Sequence, residues 1–297
     1  MTYANRRGSI HLEDAEILEH VAHPDNQFVL RVAAPATART AVPGMFAHLQ
    51  CAPSIRLRRP LSIMRTDASG WVEFLYKPVG HGLTALSQRR VGERISLLGP
   101  IGNGFTITPD KPKVLAIGGG VGIPPMIFAA QTLKQAKEFD VTVLIGSEIA
   151  FPFALASSRL DSPGIATAAK RSLELLNEWH IPSHLASKAA IQGCHDGYVT
   201  DLATNHLHAL TGQELGLTRI LACGPEPMLA ATAKLAQRFD VECQLALEEF
   251  MACGVGGCAG CTVEVVMPEG VAMKRVCVDG PVFPAESIYP NAQISRN

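Results

Sequence analysis

Four cysteines near the C-terminus carry the sharpest chemical signal in the chain. Cys253, Cys258 and Cys261 follow the spacing C-x4-C-x2-C in a glycine-rich run, and Cys277 comes after fifteen further residues. This is the plant-type arrangement of four thiolates around a [2Fe–2S] cluster, with two on each iron. The glycines let the backbone wrap closely and point N–H groups at sulfur, which tunes the potential. They also tolerate the positive φ angles that such a wrap needs. A structural zinc site is the alternative, although zinc sites usually show two separate cysteine pairs rather than a tight trio and one distant residue. Unliganded core thiols are a third reading.

A second candidate is Gly118-Gly119-Gly120-Val121-Gly122, followed by Pro124-Pro125. It lies between an expected strand, Val114–Ile117, and an expected helix, 124–139, with another strand at Val141–Ile145. Prolines suit the first helical turn, and strand–helix–strand implies a parallel α/β sheet. Backbone N–H groups and a helix N-terminus can cradle a pyrophosphate there. Ile123 replaces the last glycine of a G-x-G-x-x-G pattern, so a tight packing turn is the plainer reading. Glu148, after the second strand, could accept a ribose hydroxyl and would repel a 2′-phosphate, which favours NAD over NADP. It could equally be a solvated loop carboxylate. Cys223-Gly224-Pro225-Glu226-Pro227-Met228 follows another expected strand, Arg219–Ala222, at a place where ligands bind, though Cys223 could simply be a small buried residue. Arg59-Pro60-Leu61-Ser62 offers a guanidinium fork for phosphate oxygens and a hydroxyl for the polar edge of a flat ring. An exposed basic strand end is the bland alternative.

The elements that must position these residues fall into three regions. Short strand-like runs with turn residues between them (Phe28–Val32, Trp71–Tyr76, Ile95–Leu98) suggest an antiparallel β-barrel over 10–109. A Rossmann-like parallel α/β domain is expected over 110–243, with Pro109–Pro112 as a hinge and further helices at Ser172–His180 and Leu229–Phe239. A small cluster domain is expected over 244–297, with a hairpin from Thr262–Val266 and Arg275–Val278. The 297 residues, 47% of them hydrophobic, suffice for several cores. With 26 basic and 27 acidic residues there is no excess of positive charge for nucleic acid. The N-terminus, with Arg6 and Arg7, is polar and lacks a signal-peptide core. Pro124 and Pro125 break the longest uncharged stretch before it could span a membrane. The reading is a cytoplasmic protein. Clustered cysteines in a chain of this size argue for metal rather than disulfides. The ten histidines show no ligand-like spacing except His206 and His208, which i,i+2 spacing on a helix points apart; they are read as surface residues, while Trp71 and Trp179 are read as packing residues.

Together these motifs resemble the dihydroorotate dehydrogenase electron-transfer subunit family, within the ferredoxin–NAD(P) reductase-like group. The likeness runs over nearly the whole chain in the family's order. Arg59-Pro60-Leu61-Ser62 is similar to the flavin-binding R-P-[IL]-S. Leu75-Tyr76-Lys77 with Val79–Gly82 is similar to a second flavin segment. Leu98–Phe105, which includes Asn103, matches L-G-P-x-G-N-G-F. Gly118–Pro125 and Cys223–Met228 resemble the nucleotide loops. Met251–Cys261 and Cys277–Phe283 resemble the cluster signature and its D-G-P-V-F ending. The resemblance implies FAD held by Arg59, Pro60, Leu61, Ser62, Leu75, Tyr76, Lys77, Gly82, Leu83, Thr84 and Asn103. It implies NAD held by Gly118, Gly119, Gly120, Gly122, Cys223, Gly224, Pro225 and Met228, and a cluster on the four cysteines. Two places depart from the pattern. Leu83 follows Gly82 where G-T is usual, and Ser187-Lys188-Ala189-Ala190 replaces an acidic, glycine-containing loop.

The implied activity is NAD-dependent electron transfer in pyrimidine biosynthesis. A nicotinamide moves electrons as a hydride pair and a [2Fe–2S] cluster moves them singly. A flavin does both and must sit between them, so the protein orients and tunes, with no side chain acting as acid or base. The implied partner is an FMN-containing catalytic subunit, in a heterotetramer of two copies of each chain. An NAD(P)H-dependent reductase for a ferredoxin or hydrogenase-type partner remains open. So does a non-catalytic electron relay, for which the Ser187–Ala190 segment is the support.

Overall fold

The computed structural model describes residues 9–134, 136–166 and 169–290. Arg6 and Arg7, and residues 291–297 of the expected cluster domain, lie outside the described residues. Six antiparallel strands form a closed barrel: β1 (His11–His23), β2 (Gln27–Ala33), β3 (Phe46–Gln50), β4 (Arg59–Thr66), β5 (Trp71–Tyr76) and β6 (Arg94–Ile101), in spatial order β1-β2-β5-β4-β3-β6. Closure removes the unpaired edges that an open sheet would expose. Alternation along the strands turns Ile17, Leu30, Val32, Ala47, Leu49, Ile63, Phe74 and Leu97 inward. Two helices decorate the barrel, α1 (Pro35–Thr40) and α2 (Gly80–Ser87).

The expected hinge is pinned. Arg219, only 2% exposed, donates to the carbonyls of Thr106 at 3.1 Å and Thr108 at 3.4 Å. Gln244 accepts from the Thr106 N–H at 2.8 Å and donates to its carbonyl at 2.7 Å. Glu242 and Asp110 neutralise the arginine at 3.3 and 3.6 Å. A buried charge needs such partners, and here they fasten the connecting segment to the sheet.

The parallel sheet uses β7 (Lys113–Gly119), α3 (Ile123–Leu133) and β8 (Asp140–Gly146). A small hairpin follows, β9 (Leu155–Ser157) and β10 (Arg171–Leu173), then α4 (Glu174–Glu178), β11 (Ser183–Ala186), α5 (Val199–Ala209), α6 (Gly212–Gly216), β12 (Thr218–Cys223), α7 (Glu226–Phe239) and β13 (Glu242–Ala246). The helix expected at 172–180 is a strand turn followed by a short helix, because Arg171–Leu173 pair with Leu155–Ser157. The sheet order is β11-β8-β7-β12-β13, with a sixth strand beyond it. That strand is β16 (Val282–Pro284), antiparallel to β13.

The C-terminal region is thus sewn into the parallel sheet. The 243/244 division falls within β13, and β16 returns to pair with Gln244–Ala246. Between them stand the cysteine loop and the hairpin β14 (Thr262–Met267) and β15 (Gly270–Arg275), and α8 (Ala285–Ile288) closes the chain. The strand expected over Arg275–Val278 ends at Arg275. Val278 and Asp279 donate backbone N–H groups to the Arg275 carbonyl at 3.2 and 2.8 Å, and this turn sends Cys277 back toward the loop. Among the described residues no helix is long and apolar enough to cross a membrane.

Candidate functional site: a cleft between barrel, sheet and cysteine loop

A cleft of about 580 Å³ opens where the barrel, the carboxyl ends of β7 and β12, and the segment leading to the cysteines meet. Of the residues singled out by sequence, Pro60, Leu61, Ser62, Leu75, Tyr76, Lys77, Leu83 and Cys223 line it, together with Pro125 and Leu247–Met251. Its wall is largely apolar with a few polar groups, as suits a flat heterocycle. Tyr76 is braced from behind: its hydroxyl bonds to His20 Nε2 at 2.8 Å, and its ring stacks on Phe28 at 5.5 Å. Burial pushes the phenol's pKa up, so it stays protonated.

Arg59 and Gly82 meet just outside this wall. A Cβ on Gly82 would fall 2.7 Å from Arg59 Nε, so the absence of a side chain lets the guanidinium lie there. Helix α2 begins at Gly80 with no side chain capping it, which leaves its first N–H groups and positive dipole end open to an anion. A guanidinium beside an uncapped helix N-terminus can hold a pyrophosphate. Arg59 Nη1 also bonds the carbonyls of Leu57 and Arg58, at 3.0 and 3.1 Å, which fixes its direction. Thr84 is exposed, does not line the cleft, and bonds back to the Gly80 carbonyl at 2.9 Å. Asn103 is also off the cleft. Its amide donates to the carbonyls of Val278 at 3.1 Å and Asp279 at 3.2 Å, tying the barrel to the limb that carries Cys277.

The two nucleotide-type loops face each other across the switch between β7 and β12, with Gly118 paired in register to Cys223. A Cβ on Gly122 would lie 2.2 Å from the Cys223 carbonyl oxygen, so the loops touch backbone to backbone. Met228 packs over both Gly119 and Gly224. Gly120 has open space beside it at φ +56°, which leaves room for a ligand at the start of α3. Cys223 is 1% exposed, and burial raises its thiol pKa far above the usual range. It is both a packed residue and part of the cleft wall. Glu248, in the cleft, is likewise pushed upward by desolvation. Glu148 is exposed after β8. Just past the end of β11, Lys188 places its ammonium 3.7 Å from the Tyr198 ring centre. The departing Ser187–Ala190 segment thus carries a lysine packed on an aromatic ring.

The four cysteines form two limbs. Cys261 and Cys277 are buried with Phe46, Ile101, Val265, Val276 and Phe283. Cys253 is half-buried and Cys258 exposed. Val276 N–H bonds the Cys261 carbonyl at 2.9 Å, and Arg275 Nη1 reaches the Gly256 carbonyl at 3.1 Å, so the hairpin holds the loop. Cys258 N–H donates to Cys253 Sγ, and Gly260 N–H to Cys258 Sγ, both at 3.4 Å. Burial raises the Cys253 pKa, but the N–H groups of Val255, Cys258 and Gly257 and the Cys258 thiol outweigh it and bring the pKa down to about 7. Burial and the adjacent Cys261 thiol push Cys277 up. Among the described residues no three His, Cys, Asp or Glu side chains gather as one ion would require. A two-iron cluster asks for only two thiolates at each iron, and a donor set of four thiols with N–H groups already aimed at sulfur fits that group.

Three histidines read as surface residues are buried: His48, His184 and His206. His184 bonds Ser162 and the Ala169 carbonyl, and His206 bonds the Pro163 carbonyl. Among the described residues His48 bonds nothing through its ring, and it lies against Gly254 of the cysteine loop. No local pattern could have shown this, because the residues that cover it lie some two hundred positions away.

A closed antiparallel barrel, a parallel α/β sheet and a C-terminal limb carrying four cysteines make up a ferredoxin-reductase-like fold. The fold matches a solved structure described as an NADH-dependent reduced ferredoxin–NADP oxidoreductase, with a TM-score of 0.72 and 24% identity, over 93% of this chain and 90% of that one. Residues 248–289 match the family described as the iron–sulfur cluster binding domain of dihydroorotate dehydrogenase B. The dihydroorotate dehydrogenase B (NAD(+)) electron transfer subunit of Desulforamulus reducens is 32% identical over 92% of this chain and 96% of its own. That of a Geobacillus species is 33% identical over 93% and 98%. The chain belongs to this family of electron transfer subunits.

Proposed function

We propose that this chain carries electrons from the FMN of a dihydroorotate dehydrogenase catalytic subunit to NAD+, within pyrimidine biosynthesis in the cytoplasm. The observation that carries the reading is the single cleft walled jointly by the barrel, the Cys223 loop and the Leu247–Met251 segment that runs directly into Cys253. When bound, FAD supplies the exchange between hydride and single-electron transfer that joins NAD to a [2Fe–2S] cluster.

The chain's own residues orient and insulate. Arg59 and the N-terminus of α2 hold the flavin's phosphates. Pro60, Leu61, Ser62, Leu75, Tyr76, Lys77 and Leu83 seat its ring. Gly118, Gly119, Gly120 and Gly122, with Cys223, Gly224, Pro225 and Met228, shape the nicotinamide nucleotide's place at the sheet's switch point. Cys253, Cys258, Cys261 and Cys277 hold the cluster, and Asn103 positions the Cys277 limb rather than the flavin. Glu148 favours NAD. The exposed side of the cysteine loop faces the partner, with two copies of each chain in the complex. The three units 10–109, 110–243 and 244–297 are kept in this reading as domains, with the cluster segment anchored on β13.

The test is purification alone and together with the catalytic subunit. Alone, the chain should oxidise NADH with artificial acceptors and leave dihydroorotate untouched. Together, the two should reduce NAD+ with dihydroorotate. Dihydroorotate oxidation by the isolated chain would overturn the reading.

A further inference from the structure

His48 stands between the cleft and the cysteine loop. On β3, Ala47 and Leu49 point into the barrel, so Phe46 and His48 point out toward the C-terminal region. Phe46 is part of the cleft wall. His48 packs edge-on against it, with ring centres 6.0 Å apart at 64°. On its other side is Gly254, the residue after Cys253. A Cβ there would lie 2.8 Å from His48 Nδ1, and Gly254 sits at φ +67°. Both facts keep a side chain off Gly254 and let the loop settle on the imidazole.

The imidazole is fully buried, and among the described residues neither ring nitrogen has a hydrogen-bond partner. Arg58, close by, is occupied with the Ser96 carbonyl and hydroxyl, both at 2.8 Å. Burial, then the charges of Arg58 and Arg59, bring the His48 pKa down to about 4. The ring is therefore neutral at physiological pH, with one N–H donor. Leaving such a buried donor unmet is costly, and folded proteins seldom do so. The residue pressed against it belongs to the loop on which Cys253 and Cys258 are carried.

We infer that His48 donates its ring N–H to a sulfur of the cluster and thereby raises the cluster's reduction potential. A hydrogen bond to sulfur stabilises the more negative, reduced state. Reduction adds one electron and no atom, and the imidazole keeps its proton throughout. The inference rests on the four-cysteine cluster reading and not on the identity of the partner subunit.

The experiment uses the full chain with its cofactors. In His48→Leu, the ratio of reduced to oxidised cluster at a fixed potential should fall about tenfold, equivalent to 59 mV for one electron. His48→Gln, which keeps an N–H donor, should stay within about threefold of the parent. The FAD potential should not move in either variant. Pulsed electron paramagnetic resonance on reduced parent protein, its histidines labelled with heavy nitrogen, should show a nitrogen coupled to the cluster that His48→Leu lacks. An unchanged cluster ratio in His48→Leu, a shift of the flavin instead, or no histidine coupling in the parent overturns the inference. If His48→Leu fails to load its cluster, the coupling in the parent protein decides. Iron and sulfide analysis of the parent separates this from failure of the cluster reading itself.

Discussion

The cysteine loop and the crevice between β7 and β12 are built on opposite principles. The crevice stands on five parallel strands buried on both faces, and its two loops press backbone to backbone at Gly122 and Cys223. The loop from Met251 to Cys261 has no helix or strand of its own. It is held by a few contacts with the hairpin, by Asn103 through the Cys277 limb, and by N–H groups aimed at its own thiols. Such a segment takes much of its order from the metal it binds, so ligation and local folding are coupled there and uncoupled at the crevice. One end of the relay is framed by the sheet, and the other by a loop with no regular structure of its own.

That contrast can be broken at either end. The largest effect is expected for Cys261→Ser. Iron content and visible cluster absorbance of the isolated chain should be lost, while NADH-driven reduction of a dye through the flavin should remain within about twofold of the parent. Equal loss of both activities would show that the two ends are not separate. Gly122→Val should do the reverse. Its side chain would meet the Cys223 backbone, so the KM for NADH should rise about tenfold or more, with cluster absorbance unchanged. Asn103→Ala sharpens the comparison with a smaller effect. Two bonds to the carbonyls of Val278 and Asp279 would go, worth about 1–2 kcal/mol. The variant should release iron to a chelator faster than the parent, with its NADH KM unaltered.

The local features were the ones legible in the sequence. Cysteine spacing marked the cluster segment, and strand–glycine loop–helix marked β7 to α3, because both signals are complete within a few dozen residues. The Trp71–Tyr76 strand was bounded correctly because its run of strand-favouring residues lies between turn residues, Gly70 and Pro78, although its burial does not alternate. What escaped notice depends on residues far apart in the chain. His48 between Ala47 and Leu49 reads as the outward polar position of a barrel strand, and only Gly254 shows that it is covered. Asn103 sits in a motif read as a flavin contact, yet its amide is engaged by Val278 and Asp279. Pro109–Pro112 looks like a hinge until Arg219 and Gln244 fasten the segment before it. Val282–Pro284 is too short to signal a strand, and it becomes one because β13 offers an edge.

Electrons entering from the proposed partner are expected to reach NAD+ only through the four cysteines. The direct measurement is dihydroorotate-dependent NAD+ reduction by the assembled two-chain complex, with Cys277→Ser compared against the parent at equal FAD and FMN content. This activity should fall at least about a hundredfold, while dihydroorotate oxidation by a dye at the catalytic subunit and NADH oxidation by a dye at this chain both persist. NAD+ reduction at the parent's rate in a complex shown to lack iron would contradict it.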